Sequence, residues 1–212
     1  MENLVWTPEW VEFGWLRYRS YTKTIFIGDE SLWDLESRLL DEVGSLLSER
    51  RPIKVEELCD AARWRGLQSL NWIQSNDPKF IQEISRLAFD KDAANFLRHH
   101  ILMILKGVGL SLASAVVTMY DQYNFTVIDA RSKASLKALN KWPEKDPEKE
   151  IAWDHPSGHG YMEYVSMMRY FAGELYCELR NLERALWQWH RDSEASKRGF
   201  LDLNTWQEIY PL

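Results

Sequence analysis

Cysteine is nearly absent from this chain: of 212 residues only Cys59 and Cys177 carry a thiol. Two distant cysteines cannot supply the four thiolates of an iron–sulfur cluster, and they read as reduced, buried small residues. Proline and glycine are also scarce, at seven and ten, which favours helices over turn-rich architectures. No stretch reaches the ~18 continuous apolar residues of a membrane span. The N-terminal run MENLVWTPEW has no basic region followed by an apolar core, so no membrane partner and a cytoplasmic location are expected. Internal repeats and low-complexity tracts are missing as well. The five histidines do not assemble a metal motif, because His155 and His159 flank Pro156, Ser157 and Gly158 on a loop with no cysteine nearby.

Excess positive charge is lacking too. With 26 basic and 32 acidic residues the net charge is −6, the wrong sign for a nonspecific nucleic-acid binder. The distribution matters more than the sum. Residues 91–141 hold seven basic against three acidic side chains, a net of +4, which leaves −10 for the remainder. Such a basic strip on an acidic body favours local, salt-sensitive binding of a polyanion. A solvated helical face with a few lysines has the same composition, and charge alone does not separate the two.

What is present is ordinary for a folded protein: 45% hydrophobic and 27% charged residues, and enough length for one domain with a real core. The expected fold is all-α, a two-lobed helical domain over 1–212 with a small N-terminal extension over 1–30. Residues 9–27 admit either a short helix followed by an extended segment or a small hairpin. Ser31 and Asp34 form a capping-box-like start for a helix to about Arg50. Further helices are expected over roughly 55–64, 67–75, 78–89, 91–105, 110–120, 130–140, 160–177 and 179–192. Asp77 and Pro78 cap and open one of them. Residues 141–160 read as a long polar loop, and Phe200, Leu201, Leu203, Trp206 and Tyr210 as a tail packing back on the body. Of eleven tryptophans, Trp33, Trp64, Trp72 and Trp187 fall on apolar helical faces and are expected in the core.

The most informative stretch is 105–136. Upstream, Ala94, Leu97, Ile101, Ile104 and Leu105 mark one face of an amphipathic helix. Gly107 and Gly109, around Val108, then allow a tight reversal and a new helix near Leu110. That helix begins with free N–H groups, and Lys106 adds a full charge at the same corner, a combination that favours an anion. Ala113, Ser114 and Ala115 are small enough to let the two helices lie close. Asp129 follows Phe125, Thr126, Val127 and Ile128, at the start of a further helix.

The glycine hairpin over 91–120 and the aspartate at this distance resemble the helix-hairpin-helix DNA glycosylase superfamily, HhH-GPD. The resemblance is strong over 91–139 and only architectural elsewhere. It implies that Lys106, Gly107, Val108, Gly109, Ser111 and Arg131 contact DNA phosphates. It also implies that Asp129 stabilises a sugar cation as the base leaves, or helps activate water, within double-stranded DNA carrying a damaged or modified base. Cleaving an N-glycosidic bond builds an oxocarbenium-like sugar, and a carboxylate beside it lowers that barrier. Asp is equally at home as a helix N-cap, and the two roles are compatible. Bifunctional relatives place a Schiff-base lysine where this chain has Ser111, so a monofunctional, water-using glycosylase is implied. Lys106 stands where many members have proline, and it suits phosphate contact better than Schiff-base chemistry. Trp142, Trp153 and His155, in the loop, are candidates for holding an extruded base. No cofactor is expected, apart from a monovalent cation at the hairpin, and the chain is expected to act as a monomer. From a different class, the alternative is a noncatalytic helix-hairpin-helix module that docks on DNA or on a protein.

Overall fold

A computed structural model describes residues 6–66, 69–142 and 159–197, and they are mainly helical. Helix α1 spans Pro8–Thr22; proline sits in its first turn, and the Thr7 hydroxyl accepts a hydrogen bond from the Trp10 amide at 3.2 Å. A minimal antiparallel pair follows, β1 at Phe26–Ile27 and β2 at Glu30–Ser31, turned at Gly28 with φ +65°. The N-terminal segment is therefore both a helix and a small hairpin. Ser31 caps α2 (Leu32–Arg38) by accepting from the Asp34 amide at 3.1 Å. A π-helical turn over Leu39–Val43 then leads into α3 (Gly44–Ser48). Helices α4 (Val55–Trp64), α5 (Leu70–Gln74) and α6 (Pro78–Ala88) come next, and α6 opens as expected on an Asp77 cap. Helices α7 (Arg98–Leu102) and α8 (Leu110–Tyr120) flank the glycine hairpin. Helices α9 (Ala130–Ala138), α10 (His159–Glu174) and α11 (Leu179–Lys197) complete the described chain. Most of the loop over 141–160 and the aromatic tail lie outside the described residues. No helix among them is long and apolar enough to cross a membrane.

The buried apolar residues form one continuous cluster from Trp10 to Leu186. Two glycines set its closest approaches. A Cβ at Gly14 would lie 2.6 Å from the Ala185 Cβ, so α1 and α11 touch almost backbone to backbone. A Cβ at Gly44 would lie 2.5 Å from the Met119 carbonyl oxygen, which brings α3 directly onto the C-terminal end of α8.

Inside this core sits a charge cluster centred on Glu36, which is fully buried. Tyr18 and Trp64 donate to one carboxylate oxygen at 2.6 and 3.2 Å, and Arg180 and Arg184 to the other at 2.8 and 2.6 Å. Glu183, also buried, pairs with Arg180. Burial alone would raise the Glu36 pKa, but the two guanidiniums and the Tyr18 hydroxyl hold it at about 2 against an ordinary 4.5.

Three expectations are corrected. The helix before the hairpin is not a long one over 91–105; it is a 3₁₀ turn at Asn95–Leu97 followed by the five residues of α7. Its buried side carries Arg98, His99 and Leu102, and of the expected apolar face Leu105 is buried and Ile101 half-buried, while Ala94, Leu97 and Ile104 are exposed. The reason is Arg98. Its guanidinium donates to the carbonyls of Ala88 and Asp90 at 2.7 and 3.2 Å and lies 5.0 Å from the Tyr120 ring, which turns a cation inward where periodicity assigns an apolar face. Trp72 is likewise not in the core: it is 65% exposed, because Ile73, at 0%, takes the inward position of the short α5. Trp64 is buried, whereas Trp33 and Trp187 are half-buried under arginine side chains.

Among the described residues, replacing Glu36 by Gln removes the only carboxylate beside Arg184 and one of the two beside Arg180, and is expected to lower stability by about 3–5 kcal/mol at neutral pH. The folded-state pKa lies below that of the unfolded chain, so the carboxylate's contribution is complete above about pH 4.5 and is lost as pH falls toward 2. Urea unfolding of wild type and Glu36→Gln should therefore converge over that interval. A gap that stays constant into acid contradicts the assignment.

Candidate functional site

Of the hairpin's two glycines only Gly107 is required by the geometry; Gly109 has φ −90° and open space where a Cβ would stand. Gly107 adopts φ +81°, and a Cβ there would collide with the Cβ of Trp72 at 2.9 Å and the backbone nitrogen of Ile73 at 3.1 Å. Asn76 locks the turn from the other side. Its side-chain oxygen accepts from the Lys106 amide at 2.9 Å, and its side-chain nitrogen donates to the Lys106 carbonyl at 3.0 Å. The same nitrogen reaches the carbonyls of Trp72 and Ile73, so the end of α5 and the hairpin form one piece. Val108 is buried and anchors the loop, while Lys106 and Gly109 are exposed. Gly109 is the N-cap of α8 and offers no side-chain acceptor, whereas α1, α2, α6 and α9 are each closed by a side-chain oxygen. Ser111, half-buried, lies in the first turn of α8.

The segment leading to Asp129 is extended, buried and clamped. Phe125, Thr126, Val127 and Ile128 are all 3% exposed or less. Their backbone groups find partners on neighbouring helices: Tyr161 and Tyr164 of α10 donate to the carbonyls of Thr126 and Val127 at 3.0 and 3.2 Å. The Ile128 amide donates to the Ser114 hydroxyl of α8 at 3.2 Å. Ser114 is thus more than a small spacer. It ties the residue before the aspartate to the hairpin's own helix.

Asp129 caps α9, its Oδ1 accepting from the Ser132 amide at 2.8 Å. Its Oδ2 accepts from Arg65 Nη2 at 2.6 Å, and the two side chains are only 10% and 9% exposed. Arg65 was not a sequence candidate; it stands 64 residues away, at the C-terminal cap of α4. No local pattern marks such a pair, although Gly66, at φ +65°, does mark the helix end that carries it. Burial would raise the Asp129 pKa, but the Arg65 charge and the Ser132 amide outweigh it and set the net shift downward. The carboxylate is therefore ionised, weakly basic and covered by a guanidinium.

The remaining candidates are dispersed. Arg131 is exposed, with its guanidinium 4.3 Å from the Trp187 ring. Trp142 is half-buried against the core, with the ammonium groups of Lys133 and Lys137 5.9 and 5.7 Å from its ring, so it serves as a cation–π partner for α9. Trp153 and His155 lie outside the described residues. A cavity of about 270 Å³ is lined by Tyr123, Arg169, Cys177 and Arg180 among others, and Asp129 is not part of it. Burial raises the Cys177 thiol to about 11, so that cavity holds no activated nucleophile in this cysteine. Among the described residues no group of three metal-ligating side chains comes together. Compared with protein-family models, with curated proteins and with solved structures, the chain matches none.

A double-mutant cycle tests the ion pair. Arg65→Met and Asp129→Asn should each destabilise the fold, and the double variant by less than their sum, with a coupling of about 1–3 kcal/mol in urea unfolding. Asp129→Ala, which also removes the cap acceptor, should lose about 1 kcal/mol more than Asp129→Asn. Additive effects in the cycle exclude the pair.

Proposed function

We propose that this protein is a helix-hairpin-helix DNA glycosylase of the monofunctional kind, releasing a damaged or modified base by hydrolysis of its N-glycosidic bond. The observation that carries the reading is the bond between Ser114 and the Ile128 amide. It fixes the carrier of the carboxylate to the helix whose open N-terminus, at exposed Gly109 and beside Lys106, suits a phosphate. A strand held at the hairpin is then held in register with Asp129, and positioning of this sort is a large part of catalysis. Rotating the target nucleotide out of the stack costs a few kcal/mol, least at a damaged or mispaired base, which supplies part of the selectivity.

The lowered pKa narrows what Asp129 does. A weak base is a poor proton acceptor for water, so its role is that of a fixed negative charge facing the developing sugar cation. Arg65 has to leave the carboxylate for that, and a DNA phosphate gives its guanidinium a bidentate replacement. Ser111 in place of a lysine leaves no Schiff-base nucleophile at the position where bifunctional members carry one.

The ion pair also favours a second reading, in which the hairpin binds DNA and Asp129 only closes α9 and neutralises Arg65. Incubation with duplexes bearing oxidised, alkylated, deaminated or phage-type modified bases separates the two, with abasic sites revealed by alkali. The glycosylase reading expects strand cleavage after alkali for one class, at least a hundredfold loss with Asp129→Asn, and no borohydride-trapped adduct. Release that survives Asp129→Asn, or no release from any duplex alongside salt-dependent binding, leaves the binding module.

A further inference from the structure

The exposed indole of Trp72 is the largest feature beside the hairpin that the proposed chemistry does not use. It is 65% exposed, and its Cβ lies within 2.9 Å of where a side chain at Gly107 would begin. It does not hang on a loose loop. The Trp72 carbonyl accepts from the Asn76 side chain at 3.1 Å, and that same amide group holds Lys106 by both backbone groups. One clasp thus fixes the backbones that carry an exposed indole and an exposed lysine, next to the exposed N-cap of α8.

The charge around this corner is selective. Residues 61–76 and 93–120, which supply α5, the hairpin and α8, contain no aspartate or glutamate, although the chain carries 32. A polyanion meets no repulsion from these segments, in contrast to the acidic remainder of the chain, whose carboxylate nearest to Trp72 in sequence, the exposed Asp77, caps α6. A polyanion that also presents flat aromatic faces is a nucleic acid, and an exposed tryptophan beside a backbone-binding corner is the arrangement in which bases stack. In an intact duplex those faces are occupied by neighbouring bases.

We propose that Trp72 is a stacking platform for an unpaired base next to the phosphate held at the hairpin, so that the site prefers nucleic acid with unpaired bases over intact duplex. The proposal rests on the reading of the hairpin as a phosphate grip. Trp72 is a binding residue, and its effect is on affinity for bases, independent of any cleavage.

The test compares two single strands of twelve units on the full chain: oligothymidylate, and a strand of abasic tetrahydrofuran units with the same phosphates. Wild type should bind the thymidylate strand about tenfold or more tightly than the abasic one. Trp72→Ala should erase that preference and leave abasic binding within about twofold, while Trp72→Phe keeps most of it. Lys106→Ala should weaken both strands alike and reduce the salt slope by about one. Thermal melts are expected to be unchanged for Trp72→Ala, since the indole is mostly in solvent. If Lys106→Ala weakens both strands but Trp72→Ala changes neither, or changes both equally, the platform is wrong and the phosphate grip stands. If wild type binds neither strand, or Lys106→Ala has no effect on either, the grip itself fails and the platform with it.

Discussion

Glu36 is the residue on which the arrangement of helices turns. Its carboxylate receives Tyr18 from α1, Trp64 from α4 and both Arg180 and Arg184 from α11, so four helices meet at two oxygen atoms. A buried ion cluster of this kind adds little net stability compared with a well-packed apolar core, but breaking it leaves uncompensated charge in a low dielectric. Its effect is therefore on geometry. The helices can be joined only where all four donors converge, and each partner fixes the rotation of its own helix.

That constraint reaches the candidate site through one peptide bond. Trp64 donates to Glu36, and the next residue, Arg65, donates to Asp129. The end of α4 is held at two acceptors on consecutive side chains, and the Arg65 and Arg180 guanidiniums lie 5.5 and 5.1 Å from the Trp64 ring. Asp129 is meanwhile fixed from the other direction by Ser114, Tyr161 and Tyr164, acting on the backbone that precedes it. The aspartate is thus placed by α4, α8 and α10 together.

Local chemistry was legible in the sequence, and long-range pairing was not. Ser31 and Asp77 read correctly as caps because a cap is decided by residues two or three positions apart. The hairpin was legible for a related reason: positive φ at Gly107 follows from the glycine itself, and Gly109 is the N-cap of a new helix at Leu110 although its φ of −90° does not require a glycine. Periodicity failed at α7, where the buried face is set by Arg98 reaching back to carbonyls at the end of α6, a satisfaction no hydrophobic pattern encodes. It failed again at Trp72, where one residue of register on a five-residue helix exchanges an indole for Ile73 in the core. Arg65 was invisible because its partner lies 64 residues away, and nothing in Ala-Arg-Trp-Arg-Gly distinguishes the arginine that turns inward.

The pairing of Arg65 with Asp129 decides which chemistry the site is suited to. A general base works best with a pKa near the operating pH, and this carboxylate is shifted the opposite way by the guanidinium beside it. A fixed charge has no such requirement; it needs only to be ionised and rigid, and the clamp around residues 125–128 provides the rigidity. The same guanidinium covers the carboxylate, at 2.6 Å from Oδ2. Uncovering it without a replacement would leave a buried charge bare, which is why spontaneous opening is unfavourable. On the proposed reading, a strand phosphate offers that guanidinium an equivalent charge-assisted partner. On the proposed reading, then, the ion pair ties uncovering of the carboxylate to the arrival of a strand, and Asp129 remains neutralised until one is bound.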